Sequence, residues 1–326
     1  PAPLVQDLDG QMPEMAWDLL PMDRYRAHNW HCFGHLDKRQ PYASLYTSLG
    51  CPFNCHFCCI HAPFKDGEKA LGLRPETNTY RMWSPQSVLA QLEKLVREYG
   101  VYNVKFADEL FLFNKKHVNA ICDGIIARGL RLNIWAYARV DVASDVETYK
   151  KLKSAGVNWL CLGIEAGSER VRKDVGKKFS QDKVMDAVAN IRAAGIYIIG
   201  NFLFGLPDDD LETMQATLDL AQDLNCEFAN FYCAMAYPGS GLYQTAVQQG
   251  WPLPKSWTGY SQHAADSLPL PTRHISGAEV LRFRDHAFQT YYANPRYLEM
   301  IAKTFGQETV AHIREMLGHK LVRNAR

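Results

Sequence analysis

Three cysteines fall within eight residues of one another in Cys51-Pro-Phe-Asn-Cys55-His-Phe-Cys58. They follow directly on the apolar, strand-like run Tyr42–Leu49. Thiolates so spaced can close on one metal centre. Four would complete a structural site, whereas three leave one position open, and an open position is what catalysis needs. Such a motif requires a frame that brings a substrate to it.

The frame shows as a rhythm from residue 42 onward. Strand-like runs at Tyr42–Leu49, Val101–Phe106, Leu130–Ala136, Val157–Ile164, Ile196–Phe204 and Glu227–Ala234 alternate with amphipathic stretches at about 84–99, 114–128, 145–155, 180–194 and 210–224. Ser84-Pro85 reads as an N-cap followed by proline at the first helical position. Gly100, Gly129, Gly156 and Gly195 each end a helical run where a left-handed C-cap is expected. Helix, glycine, strand, repeated, predicts βα units on a parallel sheet. Six units are too few for a closed eight-stranded barrel, so the expected fold is α/β, an open, partial (β/α)6 TIM-like barrel.

Outside this rhythm, residues 1–40 have no sustained periodicity and read as a lead-in or linker that packs on the barrel or on another domain. Residues 60–82 form an excursion after the first strand. Residues 235–275, rich in Pro, Gly and Trp, read as loop, and 277–321 turn helical again. The expected division is a lead-in at 1–40, a barrel at 41–245 and a C-terminal loop and helical extension at 246–326. The first residue is Pro1 and not Met, so the natural protein is expected to extend upstream.

Composition narrows the class. The 326 residues are 47% hydrophobic with a net charge of +1, which points to neither nucleic acid nor an anionic membrane surface. No apolar run approaches the roughly 18–20 residues of a membrane span. Nine cysteines, an odd number in a long chain, with most of those outside the 51–58 cluster in apolar runs, read as a reducing, cytoplasmic setting with core thiols and one metal site.

In βα barrels functional groups gather at the carboxyl ends of the strands. The first strand leads to the three cysteines, which suit an iron–sulfur cluster or a zinc site completed by Cys59, His56 or His61. The second ends in Asp108-Glu109, acceptors for a ligand ammonium or hydroxyl, or acids placed at a helix start. The third ends in Arg139-Val-Asp141: a fork for a carboxylate, or an Arg139–Asp141 pair. From the fourth emerges Glu165, costly in a core without a partner, then Gly167 and Ser168. The fifth carries Gly200 and Gly205, which allow close approach of a flat ligand or form a simple turn. Tyr137 and Tyr237 are candidates for the pocket lining, and Asp208–Asp210 for the N-cap of the next helix.

With these residues in view, the stretch 42–245 resembles the radical S-adenosylmethionine superfamily, through Cys51-x3-Cys55-x2-Cys58 with Phe57 before the last cysteine. Ala138-Arg-Val-Asp, Leu162-Gly-Ile-Glu-Ala-Gly-Ser, Gly200-Asn-Phe-Leu-Phe-Gly-Leu-Pro and Tyr237-Pro-Gly-Ser are similar to the subgroup that often carries an upstream cobalamin-binding domain. Ala16-Trp-Asp-Leu-Leu-Pro resembles the linker between those domains. Two departures stand out: the second strand ends in Ala-Asp-Glu where the family commonly has Gly-Gly-Glu, and no Asp-x-His-x-x-Gly cobalamin motif occurs.

The resemblance implies a 4Fe–4S cluster held by Cys51, Cys55 and Cys58, with S-adenosylmethionine on its open iron and cobalamin as an open third possibility. Reductive cleavage to methionine and a 5′-deoxyadenosyl radical, then attack on a substrate C–H bond or methyl transfer, is the implied chemistry. By position, Phe57 would lie near the adenine, Asp108 and Glu109 at the methionyl amino group, and Arg139 at its carboxylate. Glu165 and Ser168 would serve the ribose or amino end, with Gly200 and Gly205 bordering the adenine. Implied partners are a small-molecule substrate, an electron donor such as flavodoxin or ferredoxin, and the upstream cobalamin-binding domain. The alternative is a non-catalytic iron–sulfur or zinc metalloprotein.

Overall fold

The computed structural model describes residues 5–60, 80–142 and 145–324. Strands follow along the chain as β1 (Tyr42–Leu45), β2 (Ser48–Leu49), β3 (Arg81–Met82), β4 (Asn103–Phe106), β5 (Asn133–Arg139), β6 (Val157–Glu165), β7 (Tyr197–Phe204) and β8 (Phe228–Cys233). Six of them form one parallel sheet in the order β1-β4-β5-β6-β7-β8, while β2 and β3 pair antiparallel as a separate sheet of two. Tyr42 stands opposite Asn103, and Asn103 opposite Asn133. Apart from the step over the β2–β3 pair, sheet neighbours are chain neighbours, which is the order expected of βα repeats.

The helices between them are Pro85–Tyr99, Lys115–Ala127, Val146–Ser154, Gln181–Ala193 and Leu211–Leu224, each within a residue or so of its expected bounds. The reason is local chemistry. Ser84, Asn114, Asp145 and Asp210 each accept a backbone N–H at the helix start. The four C-terminal glycines take φ of 62°, 63°, 90° and 75°.

Three readings need correction. The run Tyr42–Leu49 is not one strand: β1 stops at Leu45, and β2 leaves for Arg81–Met82. The Thr47 N–H, which a continuing ladder would use, goes to Asp108. The stretch 235–275 contains a helix, Gly241–Gln248, started by Ser240, whose hydroxyl accepts the Tyr243 N–H. The short helix Glu169–Asp174 was also unforeseen. The excursion at 60–82 falls, for residues 61–79, outside the described residues.

The chain divides into two compact units. One comprises Pro1–Pro52, Phe64–Leu162 and Asp186–Ile199, and the other Phe53–Pro63, Gly163–Met185 and Gly200–Arg326. In the first, the lead-in packs on strands. Trp17, Ala27 and Cys32 are buried. The Asn133 amide donates to the His31 carbonyl at 3.1 Å, the His31 ring meets the Asn133 carbonyl at 3.0 Å, and Trp30 sets its edge against Trp135 and Trp159. Burial pushes the His31 imidazole down to about 3, so it is a neutral core histidine.

In the second unit the question is how β8, last in the sheet order, avoids presenting unpaired backbone. Side chains replace the missing strand. The Tyr292 hydroxyl accepts the Ala229 N–H at 3.0 Å and donates to the Ala229 carbonyl at 2.7 Å, and Arg284 Nε donates to the Phe231 carbonyl at 2.8 Å. All come from the helix Gly277–Ala293. Tyr292→Phe therefore leaves a buried N–H and carbonyl without a partner. It is expected to lower the unfolding free energy by about 1–3 kcal/mol, measured by urea titration.

Candidate functional site

In the first unit, both carboxylates after β4 hold the backbone that leads into the cysteine motif. Asp108 is fully buried. It accepts the Thr47 N–H at 2.7 Å, the Thr47 hydroxyl at 2.6 Å and the Ser48 hydroxyl at 2.5 Å. Since Thr47 spends its one hydroxyl proton on Asp108, the contact from His117 Nε2 to Thr47 Oγ1, 3.2 Å, is donated by the imidazole. Glu109 is only partly buried, and its Oε2 accepts the Gly50 N–H at 3.0 Å. The two neighbours thus do different things: one is committed inside the protein, the other reaches the surface.

Burial lifts the Asp108 carboxyl from its ordinary 3.8 to about 6, against the pull of the Ser48 and Thr47 hydrogen bonds. Between those values the folded chain keeps a proton that the unfolded chain has released. The stabilisation from this group is fullest below pH 3.8 and is lost as the pH rises through about 6. Comparing wild type with Asp108→Asn by urea unfolding from pH 4 to 7 should show the wild type losing ground, by at most about 3 kcal/mol.

Arg139, buried at the end of β5, meets Asp141 with both arms of one fork: Nε to Oδ1 at 2.8 Å and Nη2 to Oδ2 at 2.7 Å. Cys51 is buried in this same unit. Tyr137, half-buried, has the Lys105 ammonium 5.3 Å from its ring centre.

In the second unit the cysteine loop is gripped from two sides. The His56 N–H donates to the Val175 carbonyl at 3.2 Å, and the Leu242 N–H to the His56 carbonyl at 3.0 Å. A side chain at Gly241 would put its Cβ 1.9 Å from the His56 ring, so glycine is what lets the helix start close on the loop. The Cys58 N–H closes a turn onto the Cys55 carbonyl at 3.0 Å. Cys55 is half-buried, and Cys58 and Cys59 are exposed. No disulfide joins any of the nine cysteines.

Glu165 ends β6 with φ of 67°, an uncommon conformation for a residue with a side chain. Its carboxylate pairs with Lys177 Nζ at 2.8 Å, and both side chains are nearly buried, 11% and 5% exposed. A Cβ at Gly163 would lie 2.7 Å from the Glu165 carboxylate and 3.0 Å from the ammonium, so the pair occupies the space that this glycine leaves. Lys177 was not singled out from the sequence. It stands in a polar run after a short helix, and only the pairing reveals it. Ser168 caps that helix, accepting the Val171 N–H. Gly200 lies within β7 and Gly205 just after it, against Val280. Asp210 caps its helix as expected, while Asp209 is buried on the Leu206 N–H.

Glu165 and Phe57 help to line a cavity of about 480 Å³ in this unit, together with Asn201, Cys233, Tyr237 and Tyr260. Tyr237 and Tyr260 stack at 5.9 Å between ring centres, making a flat aromatic wall. Phe106, Phe111 and Phe204 are fully buried core residues, and Trp135 is nearly so.

Comparison with known proteins bears on this arrangement. The profile of the Radical SAM superfamily matches residues 45–221. An uncharacterized methyltransferase from Pyrococcus horikoshii is 30% identical over 298 residues, which is 91% of this chain and 59% of the relative. The anaerobic magnesium-protoporphyrin IX monomethyl ester cyclase from Cereibacter sphaeroides is 29% identical over 251 residues, 76% of this chain and 37% of its own. Among solved structures, the radical S-adenosylmethionine methyltransferase TsrM from Kitasatospora setae, with cobalamin and a 4Fe–4S cluster bound, superposes with a TM-score of 0.55 at 19% identity. It covers 76% of this chain and 44% of its own. That likeness shows the fold, a partial TIM-like barrel. The chain spans about half the length of the curated relatives it matches. With more than half of its 326 residues inside the family profile, and three cysteines at the motif's spacing, the chain belongs to the Radical SAM superfamily.

Proposed function

We propose that this chain is the radical part of an enzyme that cleaves S-adenosylmethionine reductively at a 4Fe–4S cluster and transfers a methyl group to a carbon of a small molecule, with cobalamin as a further cofactor. The carrying observation is the family match over 45–221, which contains Cys51, Cys55 and Cys58 on one loop. Methyl transfer is supported by the name of the Pyrococcus horikoshii relative, and cobalamin by the bound cofactor of TsrM. Membership of the family implies the cluster and S-adenosylmethionine.

The donor set fits such a cluster. Thiols are the soft ligands that iron–sulfur centres take, and three of them leave an iron open. Among the described residues no group of three His, Cys, Asp or Glu side chains is gathered around a metal ion position, so the fit rests on donor chemistry. When bound, the reduced cluster supplies one electron to the sulfonium, whose cleavage gives methionine and a 5′-deoxyadenosyl radical.

The chain's residues then bind and orient. Glu109, reaching the surface, is assigned to the methionyl ammonium, and buried Asp108 to bracing the Thr47–Ser48 backbone before the motif. Arg139, oriented by Asp141, is assigned to the methionyl carboxylate. Glu165, held by Lys177, is assigned to the ribose hydroxyls, with Ser168 fixing the turn beside it. Phe57, Gly200 and Gly205 border the adenine. The assignment keeps a lead-in at 1–40, the radical domain at 41–245 and an extension at 246–326. A reductant such as flavodoxin or ferredoxin serves it in the cytoplasm, a setting supported by nine cysteines without a disulfide. Among the described residues no helix is long and apolar enough to cross a membrane.

Anaerobic reconstitution with iron and sulfide tests this reading. A brown protein that forms 5′-deoxyadenosine with reductant, and S-adenosylhomocysteine when cobalamin and substrate are supplied, is the expected result. A colourless protein holding one zinc and forming neither product overturns it. A cyclisation like that named for the Cereibacter sphaeroides relative would yield 5′-deoxyadenosine without S-adenosylhomocysteine.

A further inference from the structure

A second and larger cavity, about 720 Å³, lies in the second unit along β8, between the helix Gly277–Ala293 and the chain after the helix Gln307–Gly318. None of the residues assigned above lines it. Its volume is that of a site for a drug-sized organic molecule. Phe228, Phe288 and Met316 give it an apolar body.

Its polar lining mixes neutral groups, Asn230, Gln262 and Gln289 among them, with basic ones. His263, His286 and Lys320 come from three separate segments, and Lys320 makes no ion pair among the described residues. The one carboxylate in the lining, Asp285, is already taken: Arg323 reaches it at 2.8 Å and Arg284 at 3.0 Å. The cleft thus offers an apolar floor and, at its rim, the Lys320 ammonium without a matching acid, while burial lowers the His263 pKa and leaves its imidazole a neutral hydrogen-bonding group.

Its inner wall is shared. Tyr232, Gln262 and His263 line both this cleft and the 480 Å³ cavity that contains Glu165 and Phe57. The Gln262 Oε1 is buried with no hydrogen-bond donor. An unsatisfied buried acceptor is costly, and a ligand N–H or O–H lying across that wall would remove the cost.

We propose that this cleft is a binding site for an organic anion with a largely apolar body, whose acidic end meets Lys320 and His286 and whose other end lies at the Gln262 wall. That the anion is the substrate rests on the function proposed above. The binding itself does not.

The test is equilibrium dialysis of the full chain, loaded with its cluster, against pyrene-1-butyrate and its neutral counterpart pyrene-1-butanol. The acid is expected to bind about tenfold more tightly, and Lys320→Glu/His286→Glu to remove that preference while leaving the alcohol unchanged. Equal affinity for acid and alcohol, binding of neither, or an unchanged preference in the double variant each overturns the proposal. Because dialysis needs no turnover, a protein that binds the acid but forms no 5′-deoxyadenosine refutes the proposed function and leaves the anion site standing.

Discussion

Cys55→Ala is expected to abolish 5′-deoxyadenosine formation, with a fall of more than ~100-fold, since even losing a group that only supports a metal ligand typically costs 10–100-fold. The loss should be specific. Cys55 is half-buried on a loop whose backbone is held through His56, by Val175 on one side and Leu242 on the other. Those backbone bonds remain in the variant, so it should keep the circular dichroism spectrum of the parent without metal. Cys59→Ala, at the exposed neighbouring thiol, is the control and should reconstitute normally. Retained 5′-deoxyadenosine formation in Cys55→Ala would sink the assignment of the three ligands.

Lys177→Met should give the largest loss of stability among single changes near Glu165, about 3–5 kcal/mol in urea unfolding. The ammonium sits 2.8 Å from a carboxylate that is itself nearly buried, and removing it leaves that charge without compensation. The pairing makes a second, sharper expectation. Lys177→Met combined with Glu165→Leu should recover much of the loss, because a buried pair replaced by apolar groups of similar volume is often neutral. The double variant should nonetheless bind S-adenosylmethionine poorly in dialysis, since the carboxylate assigned to its ribose is gone. A double variant no more stable than Lys177→Met alone would show that the pair is not what holds the end of β6.

The extent to which the site could be foreseen varies residue by residue. The cysteine motif was legible because its spacing lies wholly within eight residues, and the helix caps because each is a contact three residues long. The division of labour between Asp108 and Glu109 was not legible. As adjacent acids they look alike, and what separates them is Thr47 and Ser48, some sixty positions earlier in the chain. Lys177 escaped notice for the same reason, its partner being twelve residues away across a turn. The break between β1 and β2 was hidden because an apolar run looks the same whether or not its ladder continues.

By itself, then, the sequence determined the alternation of six strands with five helices, the helix boundaries to within a residue or so, the cysteine motif and the family. These depend on interactions between residues close in the chain, or on periodicity that any such segment carries. Only the tertiary structure decided which carboxylate is buried and which reaches the surface, and which ammonium pairs with Glu165. It also decided how β8 ends the sheet without another strand, and where an apolar cleft meets the Lys320 ammonium. Each of those follows from burial and from partners distant in sequence, and the cost of an unpaired buried group is set by what folding brings next to it.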